Sequence, residues 1–294
     1  MLASDRAPLV GVVVLTQGTR PDDLAAGLAS VREQHGVRTD VVVVGNGQRP
    51  NGLPDGVRGL HLPDNVGIPA GRNAGIGLVD GEFVLFLDDD ARLASPDFLR
   101  TVLAKFDRDT HLGLVQPRVD TPEGAAPRRW IPRLRKGDPH RSSPAFSCWE
   151  GAVVVRRDAF ERAGQWPERF FYAHEGIDLA LRLWDTGHRV LYAGDVAAVH
   201  PVINPRRHGD YHHNNARNRV WIARRNLPWP LAGMYVTTWT IVQLLRSARG
   251  RELRSLRPWF AGCWAGWRTD PGPSRRMKWS TVWRMTRLGR PPIV

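Results

Sequence analysis

A run of five apolar residues followed by three consecutive aspartates constrains this chain more than any other stretch. Residues 83–87 read FVLFL, a short run rich in β-formers that is typical of a strand buried on both faces. Asp88, Asp89 and Asp90 follow at once. Adjacent carboxylates at the end of a buried strand repel one another, so they need a cation or several donors nearby. The pattern predicts a Mg²⁺ or Mn²⁺ site at the carboxyl edge of a sheet, and an Asp-rich turn that caps the helix near Ser95 is the alternative.

Strands and helices alternate along the rest of the chain. Residues 9–15 and 40–44 are continuous apolar strands, and residues 22–34 between them carry apolar side chains at helical spacing. This β-α-β order predicts parallel strands joined by a right-handed crossover. Further strands are predicted at 60–62, 112–117, within 147–156 and at 188–193. Further helices are predicted at 97–106 and 158–163, from the glycine-rich segment 66–75 to about residue 79, and from near Glu175 to residue 187. The fold class is therefore α/β, with a mostly parallel sheet flanked by helices.

A glycine-rich segment, residues 66–75, leads into the second predicted helix and contains Arg72. Glycine allows close backbone approach, and a helix N-terminus offers free N–H donors, so this segment suits an anion such as a diphosphate. Glycine-rich turns before helices also occur for purely steric reasons.

Taken together, these motifs resemble glycosyltransferase family 2, the inverting nucleotide-sugar transferases with a GT-A fold. The resemblance covers roughly residues 8–225 and rests on Gly45-Asn46-Gly47, Asp64-Asn65-Val66-Gly67, Gly71-Arg72-Asn73-Ala74-Gly75 and Leu87-Asp88-Asp89-Asp90. It implies a donor site formed by Thr16, Asn46, Asn65, Arg72, Asp88 and Asp89, and a metal site formed by Asp90, Asp88 and His200. Neutral imidazole is an acceptable ligand for Mn²⁺, although a single His is also commonly structural.

The chain departs from the family pattern at two positions. Gly45 stands where the family commonly has a base-reading Asp, which leaves the nucleotide base undetermined. Gly176 stands where the second acidic residue of the Glu-Asp-Xaa-Asp-Leu motif usually acts as the catalytic base. The role then passes to Glu175 or Asp178, which share one face at the start of a helix, and our hypothesis favours Glu175. Both carboxylates would also suit a helix N-terminus without any catalytic role.

The resemblance also places an acceptor site near Trp149 and Glu150, where the Trp face could stack on a sugar ring or simply pack in the core. Residues 118–147 are rich in Pro, Gly and Arg, which predicts a long loop that is either a flap over a polyanionic ligand or a solvated excursion. Residues 206–219 hold three His and four Arg without the spacing of a zinc site, and Arg217 and Arg219 could contact the diphosphate.

Positive charge is concentrated at the C-terminus. The net charge is +13, and from Arg246 onward twelve Lys or Arg face only two acidic residues. Residues 227–245 carry no charge, and eight of the twelve Trp lie after residue 220. Arg mixed with aromatic and apolar residues predicts an in-plane membrane helix, with oligomer contact and nucleic-acid binding as alternatives and the latter disfavoured. We divide the chain into a catalytic domain at 1–225 and a helical membrane-associating or oligomer-contact region at 226–294.

Two distant cysteines argue against a disulfide framework, and the N-terminal residues lack the pattern of a secretory signal. These features predict a cytoplasmic protein at the inner face of the membrane. The working hypothesis is a metal-dependent inverting glycosyltransferase of polysaccharide biosynthesis, acting on a hexosyl or deoxyhexosyl donor and a lipid-linked or surface-glycan acceptor. Two alternatives are a nucleotidyltransferase and a non-catalytic nucleotide-sugar-binding scaffold.

Overall fold

Nine strands and nine helices are present in the computed structural model, which describes residues 7–132, 137–202, 210–250 and 253–293. The strands are β1 (Leu9–Thr16), β2 (Arg38–Asn46), β3 (Arg58–Leu62), β4 (Phe83–Asp88), β5 (Arg92–Leu93), β6 (Leu112–Asp120), β7 (Ser143–Pro144), β8 (Ala152–Arg156) and β9 (Arg189–Val199). The helices are α1 (Pro21–Arg32), α2 (Ile68–Ile76), α3 (Phe98–Arg108), α4 (Arg157–Arg162), α5 (Glu175–Asp185), α6 (Tyr211–Asn226), α7 (Trp229–Arg249), α8 (Leu256–Arg268) and α9 (Trp279–Arg287).

All nine strands belong to one sheet, in the order β3-β2-β1-β4-β8-β6-β9-β5, with β7 also paired to β9. Strands β3, β2, β1 and β4 are mutually parallel, and β6 is parallel to β9 over most of its length. Strand β8 runs antiparallel between β4 and β6. The predicted α/β class with a mostly parallel sheet is confirmed, whereas the direction of β8 has no signal in the apolar pattern of residues 152–156.

Strand β4 lies at the centre of the sheet because its side chains are apolar on both faces. Phe83, Leu85 and Leu87 pack into one core with residues of α1 and α3, while Val84 and Phe86 pack into a second core with residues of α2, α4 and α5. All five are buried. Complete burial of such a side chain contributes about 1.5–3 kcal/mol, so this strand anchors both layers.

The three C-terminal helices are packed against the α/β core. Helix α8 approaches α6 closely at Gly266, where a Cβ atom would lie 2.7 Å from Cβ of Val220. Helix α9 begins beside the last residue of α5, because the Asp185 carboxylate accepts hydrogen bonds from the backbone N–H of Lys278 and the hydroxyl of Thr281. The described C-terminal residues therefore form a layer over α5 and α6.

Residues 133–136, in the predicted loop 118–147, and residues 203–209, which include the start of the His- and Arg-rich segment 206–219, lie outside the described residues. The described part of the loop 118–147 contains a short 3-10 helix, Arg128–Trp130, and the two-residue strand β7. Trp130 is buried, and its carbonyl oxygen accepts a hydrogen bond from the Gln116 side chain at 2.8 Å. This part of the loop is therefore packed against the sheet.

Candidate active site

The predicted site residues meet at one edge of the sheet because several strands end or begin there. Strand β1 ends at Thr16, β2 at Asn46 and β4 at Asp88, and these strands are parallel. Strand β8 is antiparallel to β4 and pairs Ala152 with Leu87, so the residues just before Ala152 reach the same edge. The edge therefore combines strand ends from the first half of the chain with the Trp149–Gly151 segment from the second.

Each aspartate of the triplet has its own cationic or hydroxyl partner. Asp88 accepts a hydrogen bond from Nη2 of Arg72 at 2.6 Å, and Asp89 accepts one from the Thr16 hydroxyl at 2.7 Å. Arg20 bridges the other two carboxylates, with Nη1 at 3.0 Å from Oδ1 of Asp89 and in contact with Oδ2 of Asp90. Sequence reasoning missed Arg20, whose only signal is its place in the polar turn after β1.

The three carboxylates differ in electrostatic environment. Burial raises the pKa of Asp89 to about 6, against the Thr16 hydrogen bond and the charge of Arg20. Burial also acts to raise the pKa of Asp90, but the hydrogen bond and charge of His200, together with Arg20, lower it below its ordinary value. Asp90 is therefore held as a carboxylate, which is the form that ligates a cation.

Asp88, Asp90 and His200 can offer three ligand atoms that lie within 4.8 Å of one another. Nε2 of His200 is 3.0 Å from Oδ1 of Asp90, while its Nδ1 is buried without a hydrogen-bond partner. The His200 ring also contacts the rings of Trp149 and Trp130, with centroids 4.8 and 5.4 Å away. Two carboxylates and one imidazole suit Mn²⁺ or Mg²⁺, so these residues fit a divalent cation.

Arg72 is the centre of the second cluster at this edge. Its side chain on α2 is 1% exposed and stacks on the Trp166 ring, with 5.3 Å between the guanidinium carbon and the ring centroid. Burial acts to lower its pKa, but the charges of Asp88, Glu175 and Glu150 outweigh burial and raise it. Its Nε and Nη1 atoms are buried without hydrogen-bond partners. Unpartnered buried donors beside acidic groups are typical of a ligand site.

Glu150 and Glu175 are the two remaining carboxyl groups around Arg72. Oε1 of Glu150 accepts a hydrogen bond from the backbone N–H of Gly176 at 2.6 Å. Burial, then repulsion from Glu175, raises the pKa of Glu150 to about 8. Burial also raises the pKa of Glu175, with Arg72 opposing the rise and Asp88 adding to it. The pair therefore favours one bound proton near neutral pH, which suits general acid–base chemistry.

Asp178 lies in a different environment, although it is only three residues from Glu175. It is completely buried, and Arg182, Arg225 and Asn226 occupy both of its oxygens at 2.7, 3.0 and 2.7 Å. Burial acts to raise its pKa, but the two arginines and the Asn226 hydrogen bond lower it. With its oxygens engaged, Asp178 is not placed to accept a proton from a substrate.

The segment before α5 is strained and is held by α6. Phe171, Ala173 and His174 all have positive φ values, of 62°, 75° and 71°. Nδ2 of Asn218, a fully buried side chain, donates to the carbonyl oxygens of Phe170, Tyr172 and Ala173 at 2.7 to 3.1 Å. Positive φ costs free energy for residues other than glycine, so this clamp maintains the position of Glu175. No local sequence pattern marks Asn218 for this role.

Asn46 and Asn65 organise the start of α2. Nδ2 of Asn46 donates to Oδ1 of Asn65 at 2.9 Å, and Oδ1 of Asn46 accepts from the backbone N–H of Val66 at 2.8 Å. A Cβ atom on Gly45 would collide with the carbonyl oxygen of Gln48. The turn after β2 therefore leaves no space for the Asp that the family commonly has at this position.

Arg217 and Arg219 on α6 contact aromatic rings and a backbone carbonyl. Arg217 stacks on Trp221 at 4.3 Å and donates to the Phe170 carbonyl, while Arg219 stacks on Trp239 at 3.5 Å. These contacts join α6 to its neighbours. The sequence-based suggestion that they contact the diphosphate stays a prediction.

The sheet order and the helices on both of its faces are those of a GT-A fold. The family model for glycosyl transferase family 2 matches residues 12–164, which is more than half of the chain. The protein belongs to glycosyl transferase family 2. The resemblance inferred from the motifs is therefore confirmed.

Three known proteins illustrate the relationship. The chain is 25% identical over 185 residues to the O-antigen biosynthesis protein RfbC of Myxococcus xanthus, and the aligned region covers 55% of this chain and 14% of that protein. It is 29% identical over 175 residues to a pre-mycofactocin glycosyltransferase of Mycobacterium tuberculosis, covering 56% of this chain and 34% of that protein. The mannosyltransferase PcManGT of Pyrobaculum calidifontis, solved with GDP-Man and Mn²⁺, superposes with a TM-score of 0.57 at 16% identity, covering 98% of this chain and 78% of that one.

The chain thus spans a minor part of both curated relatives, and the PcManGT likeness establishes the fold alone. None of the helices in the described ranges combines the length and hydropathy that a bilayer span requires.

Proposed function

We propose that the protein is a metal-dependent inverting glycosyltransferase that moves a hexosyl or deoxyhexosyl group from a nucleotide-sugar donor to a hydroxyl of a lipid-linked or surface-glycan acceptor. The observation that carries the proposal is the convergence of the cation-binding group of Asp88, Asp90 and His200 with Arg72 and two raised-pKa carboxyl groups at one sheet edge. Family membership supports it, as does the naming of one relative for O-antigen biosynthesis.

In this proposal the donor lies along the ends of β1, β2 and β4. Thr16, Asn46, Asn65, Arg72, Asp88 and Asp89 form the donor side, and Trp149 and Glu150 form the acceptor side. A Mg²⁺ or Mn²⁺ ion held by Asp88, Asp90 and His200 would neutralise charge on the diphosphate. Arg72 supplies a second, permanent positive charge at the same edge, since an arginine remains protonated throughout.

The reaction is one displacement. The acceptor hydroxyl oxygen attacks C1 of the sugar, and the bond from C1 to the diphosphate oxygen breaks with its electron pair on that oxygen. The hydroxyl proton passes to a carboxylate of the Glu150–Glu175 pair, for which the sequence hypothesis names Glu175. Attack from the face opposite the diphosphate inverts the configuration at C1.

Nucleoside diphosphate release tests this function. The purified chain is incubated with Mn²⁺ and UDP-, GDP- or dTDP-sugars, with and without candidate acceptors, and the released nucleotide is quantified. We expect release with one donor class and its loss in Asp90→Ala, whereas Asp107→Ala, an exposed aspartate on α3, keeps wild-type activity. Pyrophosphate release would identify a nucleotidyltransferase instead, and donor binding without turnover would identify a scaffold.

The C-terminal region contributes the membrane contact in this proposal. Of sixteen exposed large hydrophobic side chains in the described ranges, twelve lie after residue 226, with Trp264, Trp283 and Leu253 each more than 60% exposed. Arg268 stacks on Trp264 and Arg276 on Trp229, at 4.3 and 4.2 Å. Exposed aromatic and apolar side chains with arginines beside them match the acyl boundary and headgroups of an anionic bilayer.

Vesicle sedimentation tests the membrane contact. We expect the chain to bind vesicles that contain anionic lipid, and Trp264→Ser with Trp283→Ser to reduce binding at least tenfold. Leu78→Ser, at an exposed apolar residue just after α2, serves as the matched control and keeps full binding. A dimer in analytical ultracentrifugation that the double variant dissociates, with no vesicle binding, would assign the surface to oligomer contact.

A further inference from the structure

We infer that Glu150, and not Glu175, is the catalytic base, and that Glu175 acts as a positioning residue behind it. This inference deepens the proposed function and rests on it, because it assigns the proton-accepting step of that reaction. The Trp149–Gly151 segment and the first turn of α5 meet at the sheet edge and together define the placement of both carboxyl groups.

Accessibility separates the two carboxyl groups. Glu175 is 3% exposed, and its Oε2 atom is buried without a hydrogen-bond partner. Glu150 is partly exposed, and the hydrogen bond that it accepts from the Gly176 N–H uses its Oε1 atom. An acceptor hydroxyl must approach the base within about 2.6–3.2 Å, which a partly exposed carboxylate permits and a buried one does not.

The orientation of Glu150 is determined by α5. Its Oε1 accepts the Gly176 N–H at 2.6 Å, and this N–H belongs to the first turn of the helix, where backbone donors are otherwise unpaired. A Cβ atom on Gly176 would lie 2.5 Å from the same Oε1 and would also collide with the carbonyl oxygen of Cys148. The Glu150 carboxylate therefore occupies the space that a side chain at position 176 would need.

Glu150 also lies next to the diphosphate end of the site. A Cβ atom on Gly151 would be 2.6 Å from Oδ2 of Asp88, and the Asp88 N–H donates to the Gly151 carbonyl at 2.8 Å. The residue that follows Glu150 thus touches a proposed metal ligand. A base at position 150 is therefore one residue from the group that would hold the leaving diphosphate.

The surrounding charges are consistent with this role. The charged or titratable groups facing Glu150 are Arg72 from α2, Glu175 from α5 and Cys148 from its own segment. Arg72 favours the ionised carboxylate, whereas burial and Glu175 favour the protonated one. A base is most effective when these influences balance near the working pH.

In the assigned step, Oε2 of Glu150 forms a bond to the acceptor proton as the acceptor oxygen bonds to C1. The electron pair of the broken C1–O bond leaves with the nucleoside diphosphate. Glu150 then releases its proton to solvent, to which it is partly exposed. Glu175 keeps its position at the start of α5, where it shares the Arg72 charge and maintains the turn that presents the Gly176 N–H.

Two amide variants test the assignment by comparison with the wild-type enzyme, each assayed with donor, acceptor and Mn²⁺. We expect Glu150→Gln to lower turnover about 10²–10⁴-fold, the range of general base catalysis, with donor affinity within twofold. Its amide oxygen can still accept the Gly176 N–H, so the fold is retained. Glu175→Gln is expected to lose tenfold or less, and Glu161→Gln, at an exposed residue of α4, to match the wild type.

Chemical rescue separates a base from a structural role. Sodium formate can supply the missing carboxylate to Glu150→Ala, and we expect it to restore turnover at least tenfold there and to have no effect on Glu175→Ala. A greater loss in Glu175→Gln than in Glu150→Gln, or wild-type turnover in Glu150→Gln, would overturn the assignment alone. Absence of turnover by the wild type with every donor would overturn the proposed function itself.

Discussion

Two buried carboxyl groups on the same turn of α5 have opposite surroundings. Asp178 has both oxygens engaged by Arg182, Arg225 and Asn226, and its pKa is lowered. Glu175 is equally buried, yet one of its oxygens has no partner and its pKa is raised. One carboxylate is saturated with donors, and the other shares a single arginine with its neighbours.

The difference distinguishes a structural acid from a functional one. A buried charge is tolerated when donors surround it, and saturated pairs hold elements together, here α5 to α6. An undersatisfied buried acid is unfavourable for folding, and its presence beside Arg72 and Glu150 points to a demand from chemistry. Saturation of hydrogen-bonding capacity therefore says more about the role of these residues than their spacing in the sequence.

Removal of the saturated acid should have the largest effect on stability. Asp178→Ala leaves Arg182 and Arg225 buried without their counter-charge, and breaking such a pair costs about 3–5 kcal/mol. Urea unfolding followed by circular dichroism measures the loss. Asp158→Ala is the matched control, because Asp158 pairs with Arg162 at the same i,i+4 spacing but both side chains are 60% exposed, and exposed pairs contribute about 0–1 kcal/mol. Equal losses in the two variants would contradict the comparison.

The second largest effect should be on the pH dependence of stability, because carboxyl groups with raised and with lowered pKa values change it in opposite directions. Glu150 has a folded pKa of about 8 against an ordinary 4.5, so its folded state binds the proton more tightly. Its contribution to stability is full below pH 4.5 and is lost as the pH rises towards 8, with a slope of up to ~1.4 kcal/mol per pH unit. The lowered pKa of Asp178 has the opposite sign, because its contribution is present above pH 3.8 and is lost as the pH falls below it.

Melting temperatures measured without metal between pH 3 and 9 follow both the loss of stability above pH 4.5 and the loss at acid pH. We expect Glu150→Gln to reduce the decline in stability above pH 4.5, with the part caused by the raised pKa values of Asp89 and Glu175 remaining, and to leave the loss of stability at acid pH unchanged. Asp178→Asn should lower the free energy of unfolding and reduce its further loss at acid pH. A decline above pH 4.5 that is undiminished in Glu150→Gln would show that other groups cause it.

The fold was largely predictable because its signals are local. The apolar run 83–87 predicts a strand buried on both faces, and the structure places it at the sheet centre. The direction of β8 depends on which strands it pairs with, and its sequence of four apolar residues and one arginine does not indicate that direction. The contact of α8 with α6 is likewise a long-range property, although the glycines of α8 allow it.

The site was predictable in its residue types and less so in their partners. Spacing placed Glu175 and Asp178 together, and Arg182 lies one turn after Asp178 on the same helix, but the donors Arg225 and Asn226 come from α6, about 47 residues further along the chain. The roles of Arg20 and Asn218 could not be predicted from the sequence for the same reason, since an arginine in a turn and an asparagine in a helix have no distinctive pattern. Local spacing supplies Asp178 with Arg182, but tertiary contacts with α6 complete its hydrogen bonding.

The acidic triplet combines the two environments, because the pKa of Asp89 is raised and that of Asp90 is lowered. A bound cation should stabilise this site. Mn²⁺ bound by Asp88, Asp90 and His200 would stabilise the folded chain, by about 1.4 kcal/mol at ten times its Kd. Thermal shift with increasing Mn²⁺ measures the effect. Asp90→Ala should lose it, and Asp107→Ala should keep it. An unchanged shift in Asp90→Ala would place the ion elsewhere.

Glu175→Gln is expected to change the free energy of unfolding least among these variants. The informative result is whether the variant is more or less stable than the wild type. At pH 8 the unfolded chain carries an ionised Glu175, whereas the folded environment disfavours that charge. Glutamine resembles the protonated form, so the variant should unfold within about 1 kcal/mol of the wild type, or at higher urea. Asp178→Asn, the same chemical change three residues away, removes a charge that two arginines require and should be clearly destabilised. A comparable loss in both variants would mean that Glu175 is as well compensated as Asp178, and the distinction between a structural and a functional acid on α5 would fail.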